Sequence, residues 1–256
     1  MTESPPNAAP PAPALPETGT QEAPWGVWRA LAVVALFTAA QPAVSFIVLN
    51  LPGVASDSAR FAIAVPAALG LSHLLGWLGA WRVVRGRQHR PFAASLGLGP
   101  FRASAGQIIR WLMLGMVMQV LARLVVLAAP PPPDLDFPLL DYLETGGEAV
   151  AFLVFAVVIM APLLEEVLFR GLLLRALRRR VPFWPAALVV AALFSALHAL
   201  QFLDYLPALT GIAALGLLLA WLREHSGSLW PPILVHAGFN LLGLLPLLVY
   251  LKTGPG

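Results

Sequence analysis

Two adjacent carboxylates, Glu165 and Glu166, and a guanidinium, Arg170, interrupt the apolar run APLLEEVLFRGLLLR at residues 161–175. Two later apolar runs carry FSALH, residues 194–198, and HAGFN, residues 236–240. Carboxylate, imidazole and amide groups of this kind serve acid–base chemistry, proton relays or metal ligation. A charge at mid-membrane costs about 2.5–3.5 kcal/mol on insertion scales, so it usually faces a cavity or a partner. Glu166 and Arg170, four residues apart, share a helix face and can pair. Glu165 is turned roughly 100° from Glu166 and needs a different neighbour. Phe194 shares a face with His198, and His236 shares one with Asn240.

The elements that must position these groups are membrane spans. Of 256 residues, 59% are hydrophobic and 11% charged, against about 25% charged in soluble domains. The sequence predicts an all-α, polytopic membrane bundle of about seven transmembrane helices. The spans are roughly 26–50, 61–82, 108–129, 149–174, 184–203, 206–222 and 229–250. Pro130 to Pro133 end the third. Residues 1–24, rich in Pro and Ala, read as a disordered cytoplasmic tail without the basic and apolar regions of a signal peptide. Residues 25–256 read as the membrane domain. No cysteine is present, which excludes disulfides and thiolate sites. The net charge of +3 is small and concentrated in loops, so it points to topology and not to nucleic acid.

Arginines set the expected orientation. Arg82, Arg85, Arg87, Arg90, Arg102 and Arg110 lie between the second and third spans. Arg175 and Arg178 to Arg180 follow the fourth, and Arg223 follows the sixth. The opposite side holds Asp134, Asp136, Asp141, Glu144, Glu148 and Asp204, with Arg60 and Lys252 as its bases. The positive-inside rule then places the N-terminus and the arginine loops in the cytoplasm. That Lys252 alone of the 16 basic residues is lysine hints at a GC-rich bacterial genome, hence a bacterial inner membrane. Trp28, Trp77, Trp81, Trp111, Trp184, Trp221 and Trp230 fall near the cytoplasmic span ends, as interfacial rings should.

Depth relates the polar groups to one another. Glu165 is about 20 Å of helix from the cytoplasmic end at Arg178, and His198 is about 20 Å from Trp184. His236 and Asn240 lie about 9 and 15 Å beyond Trp230. Three helices thus offer acid, imidazole and amide at compatible depths.

EEVLFR, FSALH and HAGFN match the patterns EExxxR, FxxxH and HxxxN. In this order on successive spans they resemble the CPBP family of intramembrane proteases. That family includes type II CAAX prenyl endopeptidases and bacterial proteins linked to bacteriocin self-immunity. The resemblance covers roughly residues 150–245 and implies that Glu165 activates the attacking water with His198 as its partner. It also implies that His236 and Asn240 bind water or stabilise the oxyanion, with Glu166, Arg170 and Phe194 in support. No cofactor is favoured. Zinc held by Glu165, His198 and His236 is the mechanistic rival, because two histidines and a glutamate leave a fourth position for water. The expected partners are the lipid bilayer and a peptide or protein substrate. The oligomeric state is left open, as is whether any substrate is prenylated.

Blander readings accompany each residue. Glu166 with Arg170 can simply fix helix packing, His73 reads as an interhelical hydrogen-bond partner, and Arg123 snorkels toward the outer interface. Asn240 alone can join two helices. Two other classes of function compete with the protease: a proton-coupled carrier, and a non-catalytic scaffold or immunity protein. The carrier would more often show paired, broken-helix halves. No such repeat is evident.

Overall fold

The computed structural model describes residues 25–54, 56–85, 91–130, 147–199 and 205–253. The expected tail, the prolines after Pro130, and Arg87, His89, Arg90, Asp134, Asp136, Asp141, Glu144 and Asp204 lie outside them. The described residues form α1 (Val27–Leu49), α2 (Ser58–Arg85), α3 (Phe92–Leu96) and α4 (Ala105–Ala128). They continue with α5 (Gly147–Arg178), α6 (Phe183–Ala199), α7 (Ala208–Ser226) and α8 (Trp230–Thr253). No strand occurs among them.

The architecture is all-helical. By length and apolar composition, α1, α2, α4 and α5 are each able to cross a membrane, while α6 and the Trp230–Leu245 part of α8 are apolar but shorter. Among the described residues seven long helical runs overlap the seven expected segments, and four of them have the dimensions of a full span. Large apolar side chains stand outside the bundle, among them Phe46, Ile63, Ile109 and Leu127. An exterior of this kind is what a helix presents to lipid tails. The chain is an integral membrane protein.

α5 sits centrally, touching α1, α2, α6 and α8, while α1 packs on α2, α6 on α7, and α4 along α8. Glycine makes the α4–α8 contact close. A Cβ at Gly115 would stand 1.9 Å from the Val235 carbonyl oxygen, and one at Gly238 would stand 2.2 Å from that of Leu112. Small residues let transmembrane backbones touch in this way. The core beneath combines Phe37, Leu164, Leu168, Phe169, Leu172, Phe194 and Leu229, each at most 1% exposed.

Two features differ from expectation. α3 falls in a stretch read as loop. Gly97, at φ +86°, closes it while Leu98 N–H donates to the Ala93 carbonyl and Gly97 N–H to that of Ala94. This reciprocal ending needs a left-handed residue, which glycine supplies. α5 is also not a uniform α-helix, because Ala156–Met160 and Val167–Leu173 are π-helical. Hydropathy registers neither.

Arg123 does not snorkel. Its Nη2 donates to the Leu242 carbonyl of α8 at 3.0 Å, with Gly243 at 3.4 Å. Pro246, four residues after Leu242, has no N–H for that carbonyl, so the guanidinium takes the bond the helix cannot make. His73 bonds within its own helix, Nδ1 to the Leu69 carbonyl at 2.8 Å, and meets α1 edge-on through Phe37.

Candidate active site

Between its two π-helical segments α5 presents Glu165 and Glu166, both buried at 6% and 0% exposure. Glu166 Oε1 accepts from Arg170 Nη1 at 2.9 Å, the i, i+4 pair expected from spacing. The same oxygen accepts from His236 Nδ1 of α8 at 3.0 Å. Arg170, wholly buried, donates through Nη2 to the Gly216 carbonyl of α7 at 2.9 Å. The missing side chain at Gly216 lets α6 come close, with Ala191 3.1 Å from where a Cβ would lie. One guanidinium therefore ties α5 to α7, and one carboxylate ties α5 to α8.

Glu165 turns to the other end of the same imidazole. His236 Nε2 lies 3.9 Å from Glu165 Oε2, too far for a direct hydrogen bond but close enough for both to contact one small molecule. With Nδ1–H committed to Glu166, the neutral ring presents Nε2 as an acceptor, the tautomer being set by its partner. The imidazole within 4 Å of Glu165 is thus that of His236, whereas the resemblance assigns that partnership to His198.

His198 enters through Phe194. Its Nδ1 meets the Phe194 carbonyl at 2.9 Å, and its ring lies 4.8 Å from the Phe194 ring. Phe194, 1% exposed, also meets His236 edge-on at 5.6 Å and carries the Arg170 guanidinium 4.5 Å above its ring. The negative face of the ring helps to hold that cation where water is scarce. Asn240, one turn beyond His236, donates Nδ2 to the Val157 carbonyl of α5 at 2.8 Å.

The structure thus brings Glu165, Glu166, Arg170, His236 and Phe194 into one layer, with His198 against its aromatic wall and Asn240 one turn away. Among the described residues, no three His, Cys, Asp or Glu side chains are spaced to hold a metal ion. Glu165, His198 and His236 are not gathered into a three-ligand zinc site in this arrangement.

Sequence reasoning missed two contributors. Trp25, fully buried, donates Nε1 to the Leu172 carbonyl within the second π-helical segment at 3.0 Å. Gly216 supplies the carbonyl that receives Arg170. Trp25 carries a signal, since its indole N–H needs a partner once buried. Gly216 carries none, because a carbonyl is common to every residue.

Comparison with known proteins supports the pattern read from the motifs. Residues 147–242 match the family model described as type II CAAX prenyl endopeptidase Rce1-like. The chain is 31% identical over 139 residues to an Escherichia coli protein named "Uncharacterized 24.3 kDa protein", covering 54% of this chain and 63% of that one. It is 29% identical over 109 residues to the Bacillus subtilis (strain 168) protein named "Putative membrane peptidase YdiL", covering 41% and 43%. The matches thus span less than two thirds of either relative. No solved structure matches significantly. Every residue of the polar layer falls inside the matched segment. Over residues 147–242 this membrane protein is thus similar to the Rce1-like type II CAAX prenyl endopeptidases.

Proposed function

We propose that this protein is an intramembrane endopeptidase that hydrolyses a peptide bond in a membrane-associated peptide or protein, with Glu165 as general base. The observation that carries the reading is the bridge through His236: Nδ1 on Glu166 at 3.0 Å and Nε2 3.9 Å from Glu165. Two neighbouring carboxylates in one buried layer thereby have different work. Glu166 is occupied by Arg170 and His236 and fixes the ring. Glu165 keeps an oxygen for a water molecule in contact with His236 Nε2.

In the proposed reaction Glu165 takes a proton from that water while its oxygen bonds to the peptide carbonyl carbon. The proton then passes from Glu165 to the amide nitrogen as the C–N bond breaks, leaving a carboxylic acid and an amine. A base that returns its proton to the leaving group in this way contributes about 10²–10⁴-fold. His236 Nε2, an acceptor while Nδ1–H is held by Glu166, takes a hydrogen bond from that water and orients it for attack. Such preset partners act most strongly where water is excluded. In the orientation favoured by the arginines, the N-terminus lies on the cytoplasmic side.

The test is cleavage of a diverse peptide library by purified protein in detergent, read by mass spectrometry beside a folded Glu165→Gln variant. Cleavage by the wild type alone, unaffected by a chelator, is the expected result. Equal cleavage by both proteins overturns Glu165 as the base, and loss on chelation supports the zinc rival. Proton-gradient-dependent solute uptake by a protein that cuts nothing would favour the carrier, and inactivity in both assays the scaffold.

A further inference from the structure

Val157 is in an unusual position for a helix residue. In a regular α-helix its carbonyl would accept from the Ala161 N–H, but that N–H donates to the Ala156 carbonyl, one residue further back. The π-helical pattern would then pass the Val157 carbonyl to residue 162. Residue 162 is proline, which has no N–H. Both main-chain donors are thus removed, and an unsatisfied carbonyl inside a membrane is costly. The bond is completed by Asn240 Nδ2 at 2.8 Å.

We infer that Asn240 is a positioning residue whose amide stands in for the N–H missing at Pro162 and so sets the rotation of α5 that aims Glu165 and Glu166. The link is angular. One residue added by a π-helical turn advances everything after it by about 100°, the angle that separates adjacent residues on a helix. Losing that extra residue ahead of Pro162 would therefore carry Glu165 toward the place of Glu166 and bring Leu164 to the place of Glu165. Asn240 holds the register eight residues before Glu165, and it sits one turn from His236, which both glutamates face. α8 thus sets the phase of the helix whose carboxylates it meets. Arg123 completing the Leu242 carbonyl left by Pro246 shows the same repair elsewhere in the bundle.

The role of Asn240 in aiming the glutamates rests on the protease reading; its replacement of a missing N–H does not. The experiment compares Asn240→Ala, the near-isosteric Asn240→Asp, and each combined with Pro162→Ala, which restores an N–H at residue 162. Thermal unfolding in detergent and kcat on a peptide identified for the wild type are both read. Each single Asn240 variant is expected to melt about 3 °C lower. Each is also expected to lose about 100-fold in kcat, the scale of misplacing a reacting group by about 1 Å. Adding Pro162→Ala is expected to restore both. Melting recovered without kcat overturns positioning and puts Asn240 on the reacting atoms. No loss of melting temperature in either single variant, or no recovery of it in the doubles, overturns the repair itself. If the wild type cuts no peptide, the protease reading fails while the melting comparison still decides the repair.

Discussion

Two of the polar contacts that α8 makes inside the bundle differ in kind. At Leu242 and Gly243 it meets Arg123 of α4, one cation directed at neutral carbonyls. At His236 it meets Glu165 and Glu166 of α5, two carboxylates in a layer with one guanidinium and imidazole. The first contact is explained by counting backbone bonds, because Pro246 removes a donor and Arg123 restores it. The second supplies more polar groups than backbone repair requires. Within a membrane a polar group that repairs the backbone supports the fold, whereas one left over after repair is a candidate for chemistry.

Perturbing the two contacts in turn sharpens the distinction. Glu165→Gln should have the largest effect, a loss of about 10²–10⁴-fold in peptide cleavage with an unchanged melting point. A variant that melts much lower would place Glu165 with the structural contacts instead. Arg170→Met should act on stability, since it strands the buried Glu166 carboxylate. Removal of one partner from a buried pair costs about 3–5 kcal/mol. Thermal unfolding checks this, and adding Glu166→Gln should recover part of the loss if the two are coupled.

Smaller effects are expected at the α4–α8 contact. Gly115→Val must push two touching backbones apart and should cost about 1–3 kcal/mol, the range for overpacking. Reduced cleavage in proportion to lost folded protein would identify its role as packing. Arg123→Met should cost about 1 kcal/mol, the scale of interhelical hydrogen bonds in membranes. Pro246→Ala should offset that cost by returning an amide to Leu242, with cleavage per folded molecule unchanged throughout. A fall in cleavage from Arg123→Met alone would remove the distinction between the two contacts.

Much of this arrangement is legible in the chain itself. The Glu166–Arg170 pair follows from spacing along one helix, and each polar motif falls on a helix where the apolar runs placed it. Span edges agree within a few residues for most segments; α5 extends beyond 149–174 to Gly147–Arg178. α3 was illegible because five residues are too few for periodicity, and its ending depends on Gly97. Arg123 was misread because its partner is a carbonyl over a hundred residues away. Pro246 is the clue, informative only once α4 and α8 are known to touch.

The sequence by itself determined the membrane environment, the all-helical class, the residues able to do chemistry and the pairing of Glu166 with Arg170. These depend on composition and on contacts within a turn or two of one helix, where covalent geometry fixes the distances. The tertiary structure alone decided that His236 stands between the two glutamates, that Phe194 walls the layer, and that Asn240 completes the Val157 carbonyl. Those relations depend on how α5, α6 and α8 are rotated against one another. A helix carries no record of that rotation until π-helical turns, prolines and close glycine contacts are settled together in the packed bundle.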